Sequence, residues 1–141
     1  MQDHTSNGGR RQGGSPSTSI EWALAYWRRG WSIIPIASGS KAPACRSWKA
    51  YQDTRADESQ IRRWFAKPEG RGVAVLFGDV SGGLVCRDFD VQAAYDRWAA
   101  DYPELANLLP TVVTARGRHV YFRSNHRGIK TLLDGELRGA G

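Results

Sequence analysis

Asp88 and Asp90 stand two residues apart at the end of a short apolar run, Gly82-Gly83-Leu84-Val85-Cys86-Arg87-Asp88-Phe89-Asp90. Leu84, Val85 and Phe89 favour a strand, and turn residues bound the run. Side chains alternate faces along a strand, which puts both carboxylates on one side, roughly 6–7 Å apart. Like charges so placed repel each other and resist desolvation. A hard divalent cation removes both costs through oxygen ligands, and such ions can carry phosphoryl or nucleotidyl transfer. Taken alone, the stretch favours a plainer account, with Asp88 a solvated strand end and Asp90 the cap of the helix that follows.

What comes later in the chain shifts that balance. His119 lies on a β-type run, His119 to Arg123, where it shares a face with Tyr121, and Glu136 opens a further run. If these runs join the Asp88 strand in one antiparallel sheet, all four groups can project from one face. The acids would bind cations, and the histidine would contact or place a phosphate. From Thr114 to Gly141 there are Arg116, Arg118, Arg123, Arg127, Lys130 and Arg138 against Asp134 and Glu136: six minus two, or +4 of the chain's +6. Charge concentrated beside paired acids suits a polyphosphate. Singly, a strand histidine is most often a satisfied surface residue, and hairpin arginines most often sit in solvent.

Several elements must position these groups. Thr18 with Glu21 reads as a capping box, and Ile20, Ala23, Leu24 and Trp27 then keep helical spacing up to Gly30. Trp31 to Ile36 reads as a buried strand. Ala37 to Ser47 is a loop carrying Lys41, with Trp48 its anchor to the core. A second helix is expected from Asp57 to Ala66, its buried stripe Ile61, Trp64 and Phe65, stopped by Pro68 and Gly70. Gly72 to Phe77 is apolar on both alternations, as a central strand is, and the nearby Gly82–Asp90 strand is its expected hairpin partner. A third helix spans Gln92 to Ala100 with Ala94, Tyr95, Trp98 and Ala99 inward, and Pro103 to Leu109 forms another helical turn. Thr111–Arg116 and His119–Arg123 make a tight hairpin through Gly117-Arg118. Ile129–Leu133 and Glu136–Arg138 make another through Asp134-Gly135. The chain stops three residues after that last run, which reads as a fragment of a longer domain.

With 141 residues, 40% of them hydrophobic, the sequence suits one globular domain with a real core. Residues 1–17, rich in Gly, Ser and Arg, read as a disordered tail ahead of a domain at 18–141. The net charge of +6 leans towards a polyanion such as nucleic acid. Cys45 and Cys86 stand apart without CxxC spacing, which argues against a cysteine zinc site or a disulfide framework. No apolar run approaches membrane-spanning length and no signal-peptide core opens the chain, so the expected place is the cytoplasm with no membrane partner.

Taken in order, these segments resemble the N-terminal prim-pol domain of the bifunctional DNA primase/polymerase family, in the archaeo-eukaryotic primase superfamily. The likeness runs over Ala23-x-x-Tyr26-x-x-x-Gly30, the Trp31–Ile36 strand, Lys41-x-Pro43 to Trp48, the helix bearing Ile61 and Trp64, and Gly72-Val73-Ala74-Val75. It continues through Ser81-Gly82-Gly83-Leu84-Val85 into Asp88-Phe89-Asp90, then Gly117-Arg118-His119-Val120-Tyr121-Phe122 and Glu136-Leu137-Arg138-Gly139. The resemblance implies an α+β fold, a mostly antiparallel RRM-like sheet with flanking helices, that polymerises nucleotides on a template. It implies that Asp88, Asp90 and Glu136 bind Mg²⁺ or Mn²⁺ and that His119 meets the phosphates of an incoming dNTP or NTP. Arg138, Arg118 and Lys41 are then nucleotide contacts, and Arg116, Arg123, Arg127 and Lys130 nucleic-acid contacts. DNA template and primer are the implied partners, with a helicase domain or protein, in replication of a plasmid, phage or other mobile element. The chain departs from the family pattern in its third acid, more usually aspartate, and in Arg118, where a small residue is common. The family's strand after the third acid is missing, which would put Glu136 at a sheet edge. Two other functions use the same residue types: a non-catalytic nucleotide- or nucleic-acid-binding module, and a metal-dependent nuclease.

Overall fold

The computed structural model describes residues 16–67 and 70–141. Pro68, and all of the expected tail except Pro16 and Ser17, lie outside the described residues. The first helix, α1 (Ser19–Arg28), opens on the anticipated capping box. Thr18 Oγ1 accepts from the Glu21 amide at 3.3 Å, and Glu21 Oε2 accepts from the Thr18 amide at 3.0 Å, so two amides with no partner inside the helix are satisfied. The strand β1 (Ser32–Ile36) follows, then a 3₁₀ turn at Lys49–Gln52. Helix α2 (Glu58–Phe65) is capped by Asp57 and buries Ile61 and Trp64; strand β2 is Gly72–Leu76. After a 3₁₀ turn at Asp79–Ser81 come β3 (Leu84–Phe89), α3 (Gln92–Asp101) and α4 (Pro103–Leu108). Four strands close the chain: β4 (Thr111–Val113), β5 (Arg118–Arg123), β6 (Ile129–Leu132) and β7 (Gly135–Arg138).

The fold is α+β, and every strand pairing in its two sheets is antiparallel. The smaller sheet is β1–β2, and the larger has the order β4-β5-β3-β7-β6. Three expectations are corrected here. First, β2 is not a central strand, nor the hairpin partner of β3. It pairs with β1 alone, and only a single bridge, Gly78 to Leu84, survives of the expected hairpin. The 3₁₀ turn swings the chain out of one sheet and into the other. Second, the β4–β5 connection is wider than a two-residue turn: Arg118 belongs to β5, and the Thr114 amide bonds to the Gly117 carbonyl. Third, Glu136 is not at an edge. Its strand β7 lies between β3 and β6, because β6 turns back to supply the hydrogen bonds a further strand would otherwise have to give.

Two cores sandwich the larger sheet. Successive residues of β3 face opposite ways, so Leu84 meets the first core and Phe89 the second. The first core joins α1, β1 and α2 through Leu24, Trp31, Ile33, Ile34, Ile61 and Trp64, with Trp48 packed on it as expected. The second is smaller: Phe89, Ala94 and Val120, with Tyr95 and Trp98 against them. Burying one such large side chain contributes about 1.5–3 kcal/mol. A buried serine pair ties the layers together. The Ser32 amide donates to Ser81 Oγ at 2.8 Å, and Ser81 Oγ donates to the Leu76 carbonyl.

Candidate functional site

The register of the larger sheet brings three of the expected site residues side by side. Asp88 on β3 pairs with His119 on β5 and with Glu136 on β7. Residues directly opposite across antiparallel strands share a face, so Asp88, His119 and Glu136 form one row. Two residues back along the same face, Cys86 pairs with Tyr121 and Arg138 in a second row. The first core covers the second row. Tyr121 lies against Trp31 with ring centroids 5.4 Å apart, and Cys86 is 1% exposed. The cover stops before the row of acids, where an open cleft of about 510 Å³ begins. Lys41, Asp88, Asp90, Arg116, His119 and Arg138 line it.

Neither plain account of the aspartates survives this geometry. The Asp88 side chain is only 14% exposed, with His119 Nε2 3.3 Å from Oδ1 and Arg138 Nη2 3.1 Å from Oδ2. Asp90, one residue past the strand, does not cap α3. Val91 holds that position without a side-chain cap, and the Gln92 amide bonds to the Arg116 carbonyl at 2.9 Å.

The end of β3 is gripped from both sides. A Cβ on Gly117 would stand 1.9 Å from the Phe89 carbonyl oxygen, and one on Gly135 (φ +145°) 1.9 Å from the Asp88 carbonyl oxygen. Only glycine lets both loops close this tightly. The Asp90 amide donates to the Asp134 carbonyl at 3.1 Å. Arg87, on the opposite face, donates to the Asp88 carbonyl at 2.7 Å, pairs with Asp134 and lies over the Phe89 ring at 4.0 Å. Sequence reasoning missed this brace. Asp134-Gly135 and Gly117 read only as turn signals, and nothing local marks Arg87 as their partner.

The second row also supports the first. The Tyr121 hydroxyl lies 3.4 Å from His119 Nδ1. Burial, the largest cause, pushes the Tyr121 hydroxyl above its ordinary pKa, so it stays protonated and can donate to Nδ1. In the neutral ring the imidazole proton is then on Nε2, facing Asp88. Arg138 reaches forward to both acids, with Nη2 also 2.9 Å from Glu136 Oε2.

The other expected contacts divide. Lys41 and Arg116 reach the cleft from separate loops. Arg118 turns away. It pairs with Phe89 on the opposite face, donates to Gln92 Oε1 at 2.9 Å and lies over the Tyr95 ring. Arg123 sits at the far end of β5 beside Gly82, and Arg127 pairs with Asp79 at 3.0 Å. Lys130 pairs with Leu137, in the row of Arg87, so it belongs to the face away from the acids.

Among the described residues no three His, Cys, Asp or Glu side chains form a ready-made metal cage. The donor set still fits a cation. Asp88 and Glu136 already share one, since a single nitrogen of Arg138 touches both, and carboxylate oxygens suit hard divalent ions. Among the described residues, too, no helix is long and apolar enough to cross a membrane.

Residues 23–141 match the family model described as bifunctional DNA primase/polymerase, N-terminal. A search of curated proteins found no match to the chain.

Proposed function

The chain belongs to the bifunctional DNA primase/polymerase family, whose N-terminal domain residues 23–141 match, and on that premise we propose that it adds nucleotides to a strand held on a DNA template. The observation that carries the proposal is the row Asp88–His119–Glu136, of which Asp88 and His119 line a cleft together with Asp90, Lys41, Arg116 and Arg138. Replication of a plasmid, phage or other mobile element is the setting the family likeness suggests.

Each residue has a task in this mechanism. Asp88, Asp90 and Glu136 would hold Mg²⁺ or Mn²⁺ as ligands and not as proton donors. When bound there, such an ion would supply Lewis-acid stabilisation of the phosphoryl oxygens. His119, whose Nε2 faces Asp88 Oδ1 in this structure, would turn Nε2–H to a phosphate when an ion occupies that carboxylate, with Tyr121 holding the ring at Nδ1. Lys41, Arg116 and Arg138 offset the triphosphate charge, the arginines as planar forks that can take two oxygens at once. Arg116 adds a contact for the template backbone, which makes binding weaken with salt. The brace at Gly117, Gly135 and Arg87 holds the ends of these strands still, and orientation of that kind is a large part of a transfer rate.

Primer extension with Mn²⁺ and dNTPs or NTPs tests the proposal, with Asp88→Asn beside the wild type. Losing a ligand that contributes several kcal/mol to transition-state stabilisation should cut extension by about 10²–10³-fold. Extension untouched by the substitution overturns the proposal. Shortening of labelled DNA with metal alone would replace it with a nuclease.

A further inference from the structure

Asp88 and Glu136 converge on one atom, and that atom belongs to the protein. Arg138 Nη2 is 3.1 Å from Asp88 Oδ2 and 2.9 Å from Glu136 Oε2. Two acids on adjacent strands need a positive charge between them, and here the chain provides its own. The arrangement is incomplete at its other end, because Arg138 Nε is buried without a hydrogen-bond partner. The guanidinium also lines the cleft that Lys41 and Arg116 enter, within reach of whatever anion those two residues meet.

We propose that Arg138 makes cation binding conditional on nucleotide, so that the cleft takes a divalent ion together with a nucleoside triphosphate and admits the free ion poorly. This rests on the reading of Asp88 and Glu136 as cation ligands. A guanidinium and a metal ion cannot both sit against the same two oxygens. A free ion must therefore break two charge-assisted hydrogen bonds and leave Arg138 beside it with no acceptor. A triphosphate changes that balance. Its oxygens give the displaced guanidinium a two-pronged acceptor, and the ion takes over the carboxylates. Each ligand then raises the affinity of the other by the same factor. In the absence of both, Arg138 keeps the acids neutralised and the strand ends together.

Calorimetry and Mn²⁺ electron paramagnetic resonance on the full chain test this without turnover. The probes are Mn²⁺ alone, a non-hydrolysable dATP analogue alone, and the two together. Wild type should bind Mn²⁺ about tenfold or more tighter with the analogue than without it, a coupling in the ordinary range for linked sites. Arg138→Gln should bind Mn²⁺ alone about tenfold tighter than wild type does, with the coupling reduced to about threefold or less. Arg138→Lys keeps a charge but loses the fork, and should fall between the two. It serves as the readable variant if the glutamine protein fails to fold. Unchanged or weaker Mn²⁺ binding in these variants, with the coupling intact, overturns the role of Arg138 and leaves the metal site standing. Mn²⁺ binding to wild type that Asp88→Asn does not alter overturns both.

Discussion

Two rows of side chains on one face of the larger sheet lie a single pleat apart and live in different surroundings. In the row of Cys86, Tyr121 and Arg138, Tyr121 and Cys86 lie beneath the cover of the first core; in the row of Asp88, His119 and Glu136, Asp88 and His119 line the cleft. The chemistry-bearing types are in the outer row, and the groups that hold them are in the inner one. Tyr121 steadies His119, and Arg138 spans Asp88 and Glu136. The lesson is that burial begins where support is needed and ends at the open cleft, where the proposed substrate would enter. A strand buried over its whole length could not reach substrate, and one exposed throughout could not hold its charges in place.

The comparison can be broken most severely at the brace. Gly135→Ala forces a Cβ against the Asp88 carbonyl at a backbone angle that side chains avoid. It should cost about 2–4 kcal/mol, from overpacking and strain combined, and lower the thermal midpoint by about 10 °C or more. Gly70→Ala, with open space around it, is the control and should leave the midpoint within about a degree, as exposed substitutions do. Equal midpoints for the two variants would show that the outer row needs no such grip.

Tyr121→Phe sharpens the comparison by removing one atom of the inner row. The ring stays packed on Trp31, so the melting midpoint should fall by only a few degrees. The lost hydrogen bond is worth about 0.5–1.5 kcal/mol, which sets an expected fall in primer-extension kcat of about 3–10-fold. A fall in stability with unchanged kcat would make Tyr121 a packing residue alone.

The smallest test asks how well the inner row is sealed. Burial first, and then the neighbouring Asp88 charge, push the Cys86 thiol up to about 12. Burial also raises Cys45, which is partly exposed. At pH 8 the Cys86 thiolate is then about a thousandfold scarcer than that of a free cysteine. Ellman's reagent should meet Cys45 in the native protein and Cys86 only after denaturation. Prompt reaction of both would mean that the cover over the second row opens.

Much of this was legible in local sequence, because the signals involved are local. A capping box needs residues three apart, and Thr18 and Glu21 form one. Alternation along a strand is a property of the backbone itself, so Asp88 and Cys86 share a face whatever their neighbours are. The same holds for His119 and Tyr121. Apolar spacing located α1, α2 and α3 to within a residue or two, since each buries one stripe. The acidic pair, the histidine and the third acid were identifiable by type and order before any pairing was known.

Pairing itself was not legible. Gly72 to Leu76 carries the apolar pattern of an inner strand and yet lies in a two-stranded sheet, because its core faces come from α1 and α2 and not from strands on either side. The odd-numbered positions of β3 and the even-numbered positions of β5 face a second core that no local pattern announced. Alternation therefore sent Arg87 and Arg118 there, away from the cleft, and left Arg116 and the remote Lys41 beside the acids. Sequence alone thus determined which groups could do chemistry and which faces of their own strands they occupied. Tertiary structure decided which of them meet, because cross-strand register and the course of distant loops depend on contacts between residues far apart in the chain. That is also why an arginine two residues from an acid on one strand rests between two acids on neighbouring strands.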